Sequence, residues 1–327
     1  MERSILAEPM TALRTLLPFV TIVPRTAFDG RMAIVGHYVY QQLLPLQKKK
    51  SERSTCKKYG YLPVTHLIDL KKYPIDCPES ADYTELVESC KARLLQEGMF
   101  DLPGFLLADV TKASVNAIQP AMKTDSYRHA RSHNVYFRDN VDGLSADHPA
   151  LRKVETVNHT LCADQLGQNA VVQLYDWAPF AAFLAATMSK PQIHRMDDPM
   201  ARVNVQASYA GEALNWHFDR SEFTTTILLQ APDEGGELEY RKDLRSADDP
   251  NYVGVAELLR GNDSLVKRSK LSEGALNVFQ GVNTLHRVVP VKGDKERLVA
   301  IFAFFDRPAV TMSAKEQVGF YGRAFTA

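Results

Sequence analysis

Asn215-Trp216-His217-Phe218-Asp219-Arg220-Ser221-Glu222-Phe223 sets a histidine and a carboxylate two residues apart. On an extended strand, residues i and i+2 leave the same face, so His217 and Asp219 can converge on one point. Alone, such a pair is as readily two solvated side chains. Its weight comes from a third residue: His286, in Asn283-Thr284-Leu285-His286-Arg287-Val288, lies 69 residues further on at the start of another expected strand. Two imidazoles and one carboxylate on one face of an ion suit non-haem Fe(II) and leave three positions open.

A fourth residue extends the pattern. Arg297 comes eleven positions after His286 and opens the run Leu298-Val299-Ala300-Ile301-Phe302-Ala303-Phe304-Phe305. A guanidinium among so many apolar residues needs a counter-anion. Its planar fork suits the distal carboxylate of a dicarboxylic cosubstrate.

Period-two patterning surrounds these residues. It predicts strands over Arg202–Tyr209, Phe223–Ala231, Gly236–Tyr240, Leu276–Phe279, Arg287–Val291 and Leu298–Phe305. Helices are expected earlier, over Tyr83–Leu95 with Gly98 as a stop, over Asp109–Met122 and over Trp177–Ser189. Helices followed by many short strands imply an α+β fold, the strands closing into a sandwich or small barrel with helices packed on one side.

Residues 1–75 read differently, with scattered prolines, the tract Lys48-Lys49-Lys50 and no sustained period. Twelve Lys/Arg against six Asp/Glu fall in residues 1–76, although the chain as a whole balances at 39 and 39. This segment is expected to be a basic, poorly ordered extension; organelle targeting is the second reading, opposed by Glu2, Glu8 and Asp29. The neutral balance and the absence of a wide basic stripe exclude a nucleic-acid binder as the leading class. The longest apolar stretches fall short of the roughly 20 residues that span a bilayer, so no membrane segment is expected. Four cysteines without zinc spacing (Cys56, Cys77, Cys90, Cys162) read as reduced thiols of an intracellular, cytoplasmic protein.

Taken together, HxD, a distal His and a following Arg on short strands resemble the 2-oxoglutarate- and Fe(II)-dependent dioxygenases over roughly residues 95–325. The wording around them is narrower. Trp216–Phe223, Leu228-Leu229-Gln230-Ala231-Pro232, Gly235–Tyr240, Leu285-His286-Arg287-Val288 and Gly319-Phe320-Tyr321-Gly322-Arg323 resemble the family of free-amino-acid radical halogenases and their hydroxylase relatives. The resemblance implies a double-stranded β-helix (a jelly-roll, cupin-like barrel) over residues 76–327. It further implies Fe(II) on His217, Asp219 and His286, 2-oxoglutarate paired with Arg297, O2 as co-reactant, and succinate and CO2 as coproducts. The halogenases of this family carry glycine where this chain has Asp219, and chloride takes the vacated iron position. Hydroxylation of a small molecule, a free amino acid or related metabolite, is therefore the expectation; chlorination, or an inactive barrel serving as a binding protein, are the alternatives.

Substrate contacts are open. Arg220 is either a solvated strand residue or an anchor for a substrate carboxylate. His133 and Asn134, within Tyr127–Phe137, lie over the site by the resemblance or belong to a polar surface loop. Asn204 and Gln206 share one strand face and line the pocket if that face points inward, with Tyr209 a further candidate. Glu237 and Glu239 read as outer-face charges.

Overall fold

The computed structural model of the protein describes residues 64–326. The expected extension lies outside the described residues as far as residue 63. Its last stretch is packed: after a turn of 3-10 helix (Val64–His66), Leu67, Ile68, Tyr73 and Ile75 are buried and Ile68 bridges Leu106. The packed body thus begins before residue 76.

Helix α1 (Ala81–Glu97) starts at Ser80, whose side chain accepts the Tyr83 N–H, and stops at Gly98 with φ 78°. Serine satisfies an N–H left over at the helix start, and glycine takes the left-handed stop without a Cβ clash. Strand β1 (Met99–Leu102) comes next, and helix α2 (Ala108–Thr124) follows where the sequence predicts one. Two long strands come next, β2 (Tyr127–His133) and β3 (Val154–Cys162). They pair in register from Tyr127↔Thr160 to His133↔Val154, so the strands are not confined to the second half of the chain. Helices α3 (Ala163–Leu166), α4 (Ala170–Asp176) and α5 (Ala178–Thr187) precede β4 (His194–Arg195), β5 (Val203–Ser208), β6 (Leu214–His217), β7 (Thr224–Gln230) and β8 (Leu238–Arg241). Helix α6 (Tyr252–Leu259), β9 (Lys267–Ser269), β10 (Leu276–Phe279), β11 (Leu285–Val288), β12 (Arg297–Phe302), β13 (Phe304–Phe305) and α7 (Ala314–Tyr321) complete the described residues.

The strands form antiparallel sheets of seven, in the order β1-β10-β7-β12-β5-β3-β2, and of four, β6-β11-β8-β9, with β13 and β4 paired separately. Alternation decides which face of the large sheet meets the helices. Val203, Val205 and Ala207 of β5 and Leu298, Ala300 and Phe302 of β12 join Phe180, Phe183 and Leu184 of α5 in one core. Asn204, Gln206, Arg297 and Val299 therefore belong to the opposite face by period two. Among the described residues, no helix is long and apolar enough to cross a membrane. Cys90 and Cys162 are free and buried, whereas Cys77 is disulfide-bonded, contrary to the expectation of four reduced thiols.

One buried carboxylate ties the C-terminal segment to this body. Asp198 accepts the N–H groups of Met200 (2.9 Å) and Ala201 (2.8 Å) on one oxygen, and Met312 N–H (3.0 Å) and Gln317 Nε2 (3.0 Å) on the other. Burial alone would raise its carboxyl, but these donors hold it below the ordinary value of 3.8. A depressed carboxyl stabilises the fold above its unfolded-state value and ceases to do so as pH falls through its folded value. Asp198→Ala, which orphans several buried donors, is expected to cost about 3 kcal/mol in urea unfolding at pH 7. The deficit relative to wild type should begin to shrink as pH falls below the unfolded-state value of about 3.9 and go on shrinking until the folded carboxyl, held lower, is protonated as well.

Candidate metal centre

The two imidazoles are brought together by strand pairing. His286 on β11 lies directly opposite His217 on β6, with ring centroids 4.2 Å apart. Asp219 falls two residues beyond the end of β6, so it is not held by the ladder. Its N–H donates instead to the Gly281 carbonyl (3.1 Å), on the segment leading into β11. This leaves Asp219 Oδ1 3.4 Å from His217 Nε2 and 3.5 Å from His286 Nε2, and the three ligand atoms all lie within 4.8 Å of one another.

Each ligand is oriented from behind. His217 Nδ1 donates to the Asn215 carbonyl (2.7 Å) and His286 Nδ1 to the Thr284 carbonyl (3.0 Å). Both rings therefore carry the proton on Nδ1 and turn a bare Nε2 lone pair toward the centre. Thr224 Oγ1 donates to Asp219 Oδ2 at 2.7 Å, which leaves Oδ1 to face the imidazoles. Gly281 makes room for that carboxylate, since a Cβ there would stand 1.9 Å from Oδ2.

The electrostatics agree with a ligand set. Burial, with His286 beside it, pulls the pKa of His217 down, so the ring is neutral as a ligand must be. Burial alone would raise the Asp219 carboxyl, but the neighbouring imidazoles hold it well below the usual carboxylate range. Two neutral imidazoles and one carboxylate, with one side of the cluster free of further ligands among the described residues, fit a divalent first-row ion such as Fe(II).

Arg297 opens β12 opposite Ser208 of β5. Its Nε donates to the Gly236 carbonyl at 3.1 Å, and among the described residues no carboxylate pairs with it. Burial lowers its pKa to about 10, which leaves it charged at neutral pH. A desolvated cation without an internal partner is a receptor for an anion. Gly236 allows the approach: a Cβ there would come within 3.0 Å of Arg297 Cδ.

The structure sorts the other candidates. His133 is buried near the centre, its ring stacked on Phe137 (4.7 Å) and edge-on to His217 (6.4 Å). Its own nitrogens are engaged, Nδ1 with the Asn134 carbonyl (3.1 Å) and Nε2 with Thr156 Oγ1 (2.7 Å). Asn134 folds its loop, its Oδ1 accepting the N–H groups of Tyr136 (3.2 Å) and Arg138 (3.1 Å). Asn204 is spent on the Met200 (3.1 Å) and Val203 (2.9 Å) carbonyls and on Tyr321 Oη (3.0 Å). Tyr209 has the opposite parity to Gln206 along the chain and packs edge-on against His159 at 4.8 Å. Gln206, half-buried beside Val299, and the exposed Arg220 remain uncommitted. Glu239 faces away from the ligands, as expected, paired with Arg287 rather than with His286 across the ladder, but it is buried and engaged by Arg268 and Arg287 rather than solvated.

A family model described as Halogenase D matches residues 83–318. No curated protein matches the chain. Among solved structures, an oxidoreductase of the 2OG-Fe(II) oxygenase family from Burkholderia pseudomallei is similar at 14% identity and TM-score 0.42, over 68% of this chain and 92% of that one. A Pseudomonas putida prolyl-4-hydroxylase is similar at 15% identity and TM-score 0.43, over 68% and 100%. The epimerase SnoN, crystallised with Fe3+, alpha ketoglutarate and nogalamycin RO, is similar at 15% identity and TM-score 0.45, over 68% and 84%.

Thr224 and Gly281 carried no sequence signal. A threonine in a β-branched run reads as a strand former and a glycine before a strand as a turn, and only the fold puts both against Asp219. Thr224→Val, which removes the hydroxyl at nearly constant volume, is expected to weaken metal binding about 10- to 100-fold. Gly281→Ala should weaken it further by displacing the carboxylate. Equilibrium titration of the apo-protein with Fe(II) under anaerobic conditions, or with Co(II) as a spectroscopic substitute, checks both.

Proposed function

The chain belongs to the halogenase D family, and within it we propose that it is a 2-oxoglutarate- and Fe(II)-dependent hydroxylase of a small molecule, a free amino acid or related metabolite. The observation that carries this reading is Asp219, whose Oδ1 faces both ligand imidazoles where a halogenating relative would need an open position for halide. Radical halogenation is the second reading, favoured by the family match alone.

In this reading His217, Asp219 and His286 hold Fe(II) and Arg297 pairs with the far carboxylate of 2-oxoglutarate. With O2, this centre supplies an oxidant able to take hydrogen from an unactivated C–H bond and return a hydroxyl group, while 2-oxoglutarate becomes succinate and CO2. The chain's own residues do the positioning. Asn215 and Thr284 fix the imidazole tautomers through their carbonyls, and Thr224 holds the carboxylate to one-oxygen ligation. Phe279, edge-on to His286 at 4.6 Å, and Phe137, edge-on to His217 at 6.2 Å, line the imidazoles with apolar surface that excludes water. Two antiparallel sheets with β6 and β11 adjacent support assignment as a double-stranded β-helix. The catalytic domain we propose, expected over residues 76–327, extends back to include the packed segment 64–75.

The test is anaerobic loading of the protein with Fe(II), 2-oxoglutarate and a panel of free amino acids, then admission of oxygen. Substrate-dependent succinate together with product heavier by one oxygen, both lost in His217→Ala and Asp219→Ala, is the expected result. A chlorinated product in the presence of chloride would transfer the assignment to the halogenase reading, and failure to bind Fe(II) and 2-oxoglutarate would remove both.

A further inference from the structure

Strand β6, which presents His217, pairs on one side only. In the order β6-β11-β8-β9 it is an edge, and β11 alone forms a ladder with it. That ladder is itself broken: between His286↔His217 and Val288↔Leu214, β6 takes three steps where β11 takes two, so a bulge falls at Asn215 and Trp216. The backbone groups of Asn215 find partners outside the ladder. Its carbonyl accepts the His217 Nδ1 proton at 2.7 Å, and its N–H donates across the gap between the sheets to Thr156 Oγ1 on β3 at 3.2 Å. Asn215 Nδ2 donates to the neighbouring Glu155 carbonyl at 2.5 Å. Among the described residues, these last two bonds are what moors β6 to the large sheet.

The direction of each bond follows from the groups themselves. A carbonyl can only accept, so His133 Nδ1, 3.1 Å from the Asn134 carbonyl, carries a proton. The ring is buried, which favours its neutral form. His133 Nε2 is therefore a bare acceptor, and Thr156 Oγ1, 2.7 Å away, donates to it. That leaves the lone pairs of the hydroxyl for the Asn215 N–H. Strand pairing makes the contact possible: Thr156 is opposite Arg131 and His133 opposite Val154, so Thr156 and His133 are diagonal neighbours on one face, within side-chain reach. One hydroxyl on β3 thus joins the end of β2 to the strand that carries a ligand, with its donor and acceptor both used.

We propose that Thr156 and Asn215 are positioning residues of the metal centre, mooring β6 to β3 and thereby setting where His217 stands relative to Asp219 and His286. The proposal rests on the reading of that triad as a metal centre and deepens it by naming what places one of the ligands. Thr156 is buried, so loss of its hydroxyl would leave the Asn215 N–H and His133 Nε2 without partners inside the protein. Asp219 and His286 are held from other directions, by the Gly281 carbonyl and by pairing with β8. A loosened β6 therefore displaces one ligand of three. Metal–ligand distances tolerate only about 0.2 Å, so the affinity and geometry of a bound ion report a small displacement.

The experiment is an anaerobic titration of the metal-free full-length protein with Co(II), read from the visible bands of the bound ion. Thr156→Val, close in volume, should weaken Co(II) about tenfold and shift the bands, and Thr156→Ser, which keeps the hydroxyl, should restore both. Asn215→Ala keeps the carbonyl bonded to His217 but loses the bond to Glu155, and should weaken Co(II) at least about threefold. Thr160→Val is the control. The Thr160 hydroxyl lies on the same face of β3 but bonds Asn158 Oδ1 at 3.2 Å rather than β6, so Co(II) binding should not change. NMR of labelled histidine nitrogens in the metal-free wild type should show His133, assigned by its loss in His133→Gln, protonated at Nδ1 and bare at Nε2. Unchanged affinity and bands in Thr156→Val, no recovery in Thr156→Ser, an equal loss in Thr160→Val, or a proton on His133 Nε2 would each overturn the proposal. Should Thr156→Val not fold, unchanged Co(II) binding in Asn215→Ala overturns it instead. A wild-type protein that binds neither Co(II) nor Fe(II) would overturn the metal-centre reading first and this proposal with it.

Discussion

The direct pairing of His217 with His286 across β6 and β11 is the constraint on which the rest of the site depends. Antiparallel pairing places two side chains opposite one another at a fixed separation, and the pleat turns both to the same face. Once that pair is set, a carboxylate needs only one further anchor to complete a metal site, and the Asp219 N–H to Gly281 carbonyl bond supplies it. The reverse face of β11 is braced by charge. Arg287, next to His286, pairs with the buried Glu239 at 2.6 Å on the adjacent β8 and covers the Trp216 ring at 4.8 Å on β6. One arginine thus connects three of the four strands of the small sheet just behind the ligands. Removing Glu239 alone would leave Arg287, half-buried against Trp216, without its carboxylate, whereas the exposed Arg268 would be taken up by solvent.

The site is built from groups whose charges are incomplete within the protein. Arg297 is desolvated and paired only with a carbonyl. Asp219 sets a carboxylate oxygen against two imidazole nitrogens with no cation of the protein between them. A stable core would not retain these arrangements, because buried charge is normally matched or absent. Their persistence here is explained if ligands complete the balance, a metal cation at the triad and an anion at Arg297.

Much of this was legible in the sequence, for reasons that differ by element. The clustering of His217, Asp219 and His286 was readable from the order and spacing of HxD and a distal His, although Asp219 reaches the cluster through its bond to Gly281 and not through strand alternation. The helices from Ala81 and Ala108 were readable because helical apolar spacing and, for the first, Gly98 are local signals, whereas the Ser80 cap emerged only in the structure. Strands β2 and β3 were not fully visible, since Arg128, His129, Arg131, Glu155, Asn158 and His159 give little apolar alternation. Their place is fixed by the sheet into which they pair. Glu239 was misread for the related reason that a charge on a strand looks solvated until its partners, 29 and 48 residues away, are in place. Thr224 and Gly281 act only through the geometry of a third residue, which no pattern in their own neighbourhoods reports.

That geometry bears on how hydroxylation and halogenation diverge on one scaffold. Replacing a carboxylate with glycine would open an iron position for halide, but in this chain it would do more than that. The Thr224 hydroxyl would lose its acceptor, and the space against Gly281, kept clear because a Cβ would stand 1.9 Å from Asp219 Oδ2, would become a void. A buried donor left unsatisfied costs about 1–3 kcal/mol, and water drawn in to satisfy it would compete with halide for the same opening. Thr224 and Gly281 are matched to a carboxylate at position 219, and a glycine there would leave both without the group they fit.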